Sequence, residues 1–119
     1  MDSSHPVSIS ELAERQLVAY NHADLDAFCA CYHEDVVVLG AEGRVELEGI
    51  EAFRARYAPM FKRGGFGAEV PQRLSLGEHC VDYEHYWRLD SEEGSRVSGE
   101  ILVRYQLRDG LIGLVQFLR

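Results

Sequence analysis

Hydrophobic residues recur at helical spacing in the first half of the chain and at alternate positions in the second half, so the order of elements is legible from pattern alone. Ile9, Leu12, Ala13, Gln16, Leu17 and Tyr20 trace one face of a first helix, on which Gln16 is the only polar member. Ser8 and Glu11 form a capping box at its start, and Val7 with Leu12 is placed to make a hydrophobic staple. After Asn21-His22-Ala23, Asp24 is an N-cap candidate for a second helix, with Asp26 adding negative charge to the first turn. Leu25, Phe28, Cys29 and Tyr32 share one face of that helix, His33-Glu34-Asp35 form its polar exit, and Val36-Val37-Val38-Leu39 begins a strand.

Val36–Gly40 and Arg44–Glu48 pair as a short hairpin around Ala41-Glu42-Gly43. A third helix begins near Gly49, carries Ile50, Phe53, Tyr57 and Phe61 on one side, and should end or kink at Ala58 because Pro59 follows. Gly64, Gly65 and Gly67 then break the pattern, and strands follow near Ala68–Leu76, His79–Leu89, Arg96–Leu107 and Leu111–Leu118. Asp109-Gly110 between the last two is a tight-hairpin signal. Three helices followed by a long antiparallel meander predict an α+β domain with helices on one sheet face. Such a sheet must twist, and it curls around the helices to leave a cavity closed at one end.

Length and charge narrow the picture. With 119 residues the chain is one domain, residues 8–119, preceded by a loose segment at 1–7. A net charge of −8, with Lys62-Arg63 as the longest basic run, argues against nucleic acid and against an anionic membrane surface. Cys29, Cys31 and Cys80 are an odd, sparse set that suits a reducing compartment. Cys29 and Cys31 diverge on a helix, so they read as small buried hydrophobes and not as a metal pair. The opening residues MDSSHPVSIS carry no basic region followed by an apolar core, and no run approaches the roughly 20 apolar residues of a membrane span. The expected location is the cytoplasm.

Asn21…Asp24-Leu25-Asp26…Tyr32…Glu34-Asp35-Val36, then Gly49…Phe53…Tyr57, then Tyr105…Arg108-Asp109-Gly110-Leu111-Ile112 together resemble the nuclear transport factor two-like superfamily, in its SnoaL-like branch. The resemblance covers almost the whole chain. It implies a curved sheet forming a cone, helices closing a mainly apolar pocket, and dimerisation through the convex sheet face. Members include steroid isomerases, epoxide hydrolases, dehydratases, polyketide cyclases and association domains, so fold alone does not choose a function.

The isomerase set of that superfamily is a carboxylate base on the first strand with a Tyr and a protonated Asp as oxyanion donors. Matching the motifs puts those positions on Gly40, Gln16 and Val103, and all three chemical groups are missing. Each is worth a hundredfold or more in rate, so that chemistry is rejected.

A replacement could come from the strand His79–Leu89. Alternation puts His79, Val81, Tyr83, His85, Trp87 and Leu89 on one face and Cys80, Asp82, Glu84, Tyr86 and Arg88 on the other. The first set is more apolar and is expected to face the cavity, making His85 the candidate acid–base group, flanked by Tyr83 and Trp87. A one-residue shift, which the loop Asp90–Ser95 could accommodate, would turn Asp82 and Glu84 inward instead.

Gln16 must bond within the core, to water or to a ligand, and Tyr20, Tyr32, Tyr57 and Tyr105 offer further polar tips. Ile101, Val103 and Phe117 complete the expected apolar lining. Gly64-Gly65-Phe66-Gly67 lacks the setting of a phosphate loop, no serine lies in a nucleophile elbow, and no His pair has zinc spacing, so neither metal nor organic cofactor is expected. Leu102, Ile112, Leu114 and Leu118 fall on the opposite parity from the lining residues and predict a homodimer through that face. Two functions remain: a small-molecule site, with or without turnover, and a non-catalytic association module acting through the convex face.

Overall fold

The computed structural model describes residues 6–89 and 94–118. The expected loose segment therefore lies mostly outside the described residues, as does most of the loop Asp90–Ser95. Three helices and six strands follow in the order α1 Ile9–Asn21, α2 Leu25–Cys29, β1 Tyr32–Leu39, β2 Val45–Glu48, α3 Ile50–Arg63, β3 Gly67–Leu76, β4 His79–Leu89, β5 Arg96–Arg108 and β6 Leu111–Leu118. The strands form one mixed sheet in the order β2-β1-β6-β5-β4-β3, parallel only between β1 and β6. The α+β domain expected from the pattern, and the cone that the resemblance implies, are the observed architecture.

Local chemistry sets the boundaries. The Ser8–Glu11 capping box starts α1, and the Asp24 carboxylate accepts from the Ala27 amide to start α2. The second helix is shorter than its periodicity suggests. It ends at Cys29, and a turn through Ala30 and Cys31 leads directly into β1. Tyr32 is therefore a strand residue that still reaches the core, and His33, Glu34 and Asp35 belong to β1 instead of a helix exit. His33 Nδ1 accepts from the Asp35 amide at 2.9 Å, which leaves Nε2–H facing the Asp109 carboxylate at 3.4 Å.

Pro59 does not end α3, which continues to Arg63. The proline forfeits one bond to the turn before it, but Phe53 and Phe61 are both buried on the same face and hold the helix to the core on either side. At the β5–β6 turn Asp109 and Gly110 both have positive φ, 49° and 78°, as a tight hairpin requires.

The core lies between the helices and the concave sheet face. Ile9, Leu12 and Ala13 of α1 meet Val36 and Val38 of β1, Val103 of β5 and Val115 of β6 there. One expected convex residue is in this core. Ile112 has no exposed surface, because β6 carries an extra residue between the pairs Gln106–Leu114 and Leu107–Ile112. That residue is Gly113, where a Cβ would come within 2.4 Å of the Arg108 side chain. The bulge flips the parity of everything before it on the strand.

Candidate functional site

The face of β4 decides what the cone contains. Val103 and Tyr105 are buried on the concave side of β5, and their antiparallel partners are Asp82 and Cys80, so Cys80, Asp82 and Glu84 point inward. The expected orientation of this strand is thus reversed. Tyr83, His85 and Trp87 lie on the convex face, outside the cavity they were expected to line. Trp87 packs on Gly67, where a Cβ would lie 2.4 Å from its ring, and the Arg96 guanidinium lies over that ring, 5.2 Å from the centroid. His85 meets the Tyr83 hydroxyl at 2.8 Å and faces the carboxylates of Glu100 at 3.5 Å and Glu69 at 3.6 Å. It is a surface imidazole, not an interior one.

Inside the cone, Gln16 bonds to three core groups. Its amide nitrogen donates to the Ala13 carbonyl at 3.0 Å, which fixes the orientation of the amide because a carbonyl only accepts. The same nitrogen donates to the Tyr105 hydroxyl oxygen at 3.3 Å, and Oε1 accepts from the Tyr32 hydroxyl at 2.9 Å. Gln16 therefore bonds within the core. Because Tyr105 receives this bond, its own O–H is left to donate elsewhere, and among the described residues no side chain accepts it. Tyr20 and Tyr57 likewise have ring contacts but no hydroxyl partner among the described residues.

These groups line a deep hollow of about 70 Å³ with Phe28, Phe53, Val115 and Phe117. An outer cavity of about 290 Å³ shares Tyr20, Tyr57, Glu84 and Phe117 with it and adds Glu46, Arg56, Met60, Tyr86, Arg88 and Ile101. The two are the bottom and the mouth of one cone. Val103 is buried in the core behind the lining rather than at the hollow's surface. Glu84 stands at the junction. Burial, reinforced by the Asp82 carboxylate on the same strand face, raises its pKa from an ordinary 4.5 to about 7. Burial and then Glu84 push Tyr57 up to about 12, and the same two causes put Tyr105 and Tyr20 above the ordinary tyrosine range.

Asp82 itself is wholly buried and held by Arg73 in a two-point pair, Nε to Oδ1 at 2.6 Å and Nη2 to Oδ2 at 3.1 Å. Arg73 reaches on to Glu14 of α1 at 3.0 Å. Cys80 donates weakly to Asp82 at 3.5 Å, and burial with that carboxylate pushes its thiol up to about 12, so it is unreactive. Among the described residues no three His, Cys, Asp or Glu side chains cluster as metal ligands, and no helix is long and apolar enough to cross a membrane.

Residues 13–114 match the family model of the SnoaL-like domain. The chain belongs to the SnoaL-like domain family. Its cone is similar to that of an uncharacterised cystatin-fold protein from Novosphingobium aromaticivorans, with a TM-score of 0.84 and 26% identity over 95% of this chain and 99% of that one. A putative polyketide cyclase from Pseudomonas putida superimposes with a TM-score of 0.71 at 20% identity, covering 95% and 92%. An LEH-like epoxide hydrolase of M. tuberculosis gives 0.75 at 17% identity, covering 90% and 78%. No curated protein matches by sequence. The last two likenesses establish a shared SnoaL-like fold and no shared reaction.

Proposed function

We propose that this SnoaL-like chain binds a small, largely apolar organic molecule in its cone and moves a proton on it with Glu84. The observation that carries the reading is the position of that carboxylate. It stands where an aromatic-lined hollow meets its mouth, within electrostatic reach of Tyr20, Tyr57 and Tyr105; among the described residues the first two hydroxyls have no partner, and the Tyr105 hydroxyl accepts from Gln16 but has no acceptor for its own O–H. Buried polar groups need partners, and a ligand with one or two oxygen atoms supplies them.

Ionised Glu84 would take a proton from carbon beside a carbonyl and return it at another position, while the Tyr105 O–H hydrogen-bonds the oxygen on which charge develops. A carboxyl group poised near neutrality suits both halves of that exchange. A putative polyketide cyclase and an LEH-like epoxide hydrolase share this fold, but the proposal rests on Glu84.

The test uses β-tetralone, an aryl ketone with exchangeable α-protons, in deuterated buffer. The parent protein should accelerate deuterium incorporation, with a rate that rises through about pH 7. Glu84→Gln should lose on the order of a hundredfold or more while still binding the ketone. An unchanged rate in that variant would refute the role of Glu84. A thermal-shift series with steroids, aromatic acids and amino acids tests binding by itself, since a ligand at a hundred times its Kd adds about 2.7 kcal/mol. No shift with any apolar member would count against the cone as a ligand site.

For the partner, we propose a second copy of the chain on the convex face. Leu102 there is 43% exposed, and Leu114 and Leu118 remain on that face, while Ile112 no longer contributes.

A further inference from the structure

The mouth of the cone is chemically unlike its floor. Arg56 reaches it from α3 and Arg88 from β4. Neither has a carboxylate within ion-pair distance among the described residues, whereas Arg54, Arg73 and Arg108 each have one. In a chain of net charge −8, two guanidinium groups at one opening with no ion-paired carboxylate among the described residues form a local attraction for an anion.

Arg88 is also held in place before anything binds. Its guanidinium lies over the Tyr86 ring, 5.4 Å from the centroid. Tyr86 lies across Gly99 on the neighbouring strand, where a Cβ would come within 2.6 Å of the hydroxyl. The missing side chain at Gly99 lets the ring lie flat, and the ring orients the guanidinium. A pre-oriented planar fork loses little freedom when it meets a carboxylate.

We propose that the molecule bound in this cone is amphipathic, with an apolar body in the hollow and a single carboxylate at its outer end, held by Arg56 and Arg88. This rests on the reading of the cone as a ligand site and adds the class of ligand. Polarity sets the direction: Glu84 and the aromatic floor exclude a charged end from the depths, so the charge stays at the mouth. The number of charges follows from Glu46, which lines the same mouth, and from Glu84 at its inner end, which together offset much of the field of the arginines. One negative charge fits there better than the two of a phosphate monoester.

The test is a pair of probes of equal shape, phenylhexanoate and phenylhexanamide, titrated calorimetrically against the parent and its variants. The parent should bind the acid at least fivefold tighter than the amide, and about 300 mM salt should erode that preference without weakening the amide. R56Q and R88Q should each weaken the acid severalfold and leave the amide unchanged, the double variant should abolish the preference, and E46Q should enhance it. Both arginines are exposed, so their glutamine variants keep the parent's thermal midpoint. Gly99→Ala, which displaces Tyr86, should weaken the acid more than the amide without touching either arginine. Equal binding of acid and amide, or a preference that survives the double variant, overturns the carboxylate assignment and leaves the cone reading standing. Failure of both probes to bind the parent overturns the two together.

Discussion

At Glu84 one side chain joins stability to function. The folded chain keeps its proton up to about pH 7, whereas an unfolded chain releases it near 4.5. Between those values the folded state binds more protons, so stability falls as pH rises through the window. Glutamine has no proton to lose. Glu84→Gln should therefore be more stable than the parent above pH 7 by about 1–3 kcal/mol, a range that allows for water in the hollow. The advantage should shrink on acidification and vanish below about pH 4.5, which urea unfolding across that range would show. A stability gain from a substitution that removes the proposed chemistry is what a strained functional group implies. At Gln16, of the partners open to a polar residue on an apolar face (core, water or ligand), the amide takes Ala13, Tyr32 and Tyr105 within the core. It also lines the hollow, and its bond to Tyr105 sets the direction in which that hydroxyl can donate.

Among the elements, β4 is where pattern and packing disagree most. Alternation divides its residues cleanly between two faces, but the more apolar set, with Tyr83, His85 and Trp87, is the convex one. Asp82 turns inward because Arg73, reaching across from β3, neutralises it, and no period-2 pattern announces a cross-strand pair. A hairpin closed between Leu89 and Arg96 would have put Glu84 opposite Ile101 and so inside, but the loop composition did not dictate that closure. The pair also makes a prediction. Asp82→Ala strands Arg73 with only Glu14 and should cost about 2–4 kcal/mol, measured by chemical denaturation. Replacing both partners together, Arg73→Met with Asp82→Leu, should recover most of that loss, since no unpaired charge remains. If the double variant is no better than Asp82→Ala, the pair contributes more than mutual neutralisation.

For the molecule as a whole, the prediction concerns association. Leu102→Asp puts a charge in the middle of the convex face and should leave sedimentation at monomer mass, with the cone's ligand response intact. A parent that already sediments as a monomer would remove the second copy from the account. Ile112 shows how such a face can be misread: a single inserted residue, Gly113, moved it from the outside to the core.

Helix caps, the hairpin turn, the strand order of hydrophobicity and the α+β class were all set by short-range chemistry, within reach of Ser8, Asp24 and Asp109-Gly110 and of simple periodicity. Those signals act between residues a few positions apart, and the sequence carries them openly. The inward turn of Glu84, the occupation of Gln16, the bulge at Gly113 and the meeting of Arg56 with Arg88 depend on strands and helices far apart in the chain. Only the closed sheet brings those groups together, because register and burial are properties of the packed layers rather than of any one segment.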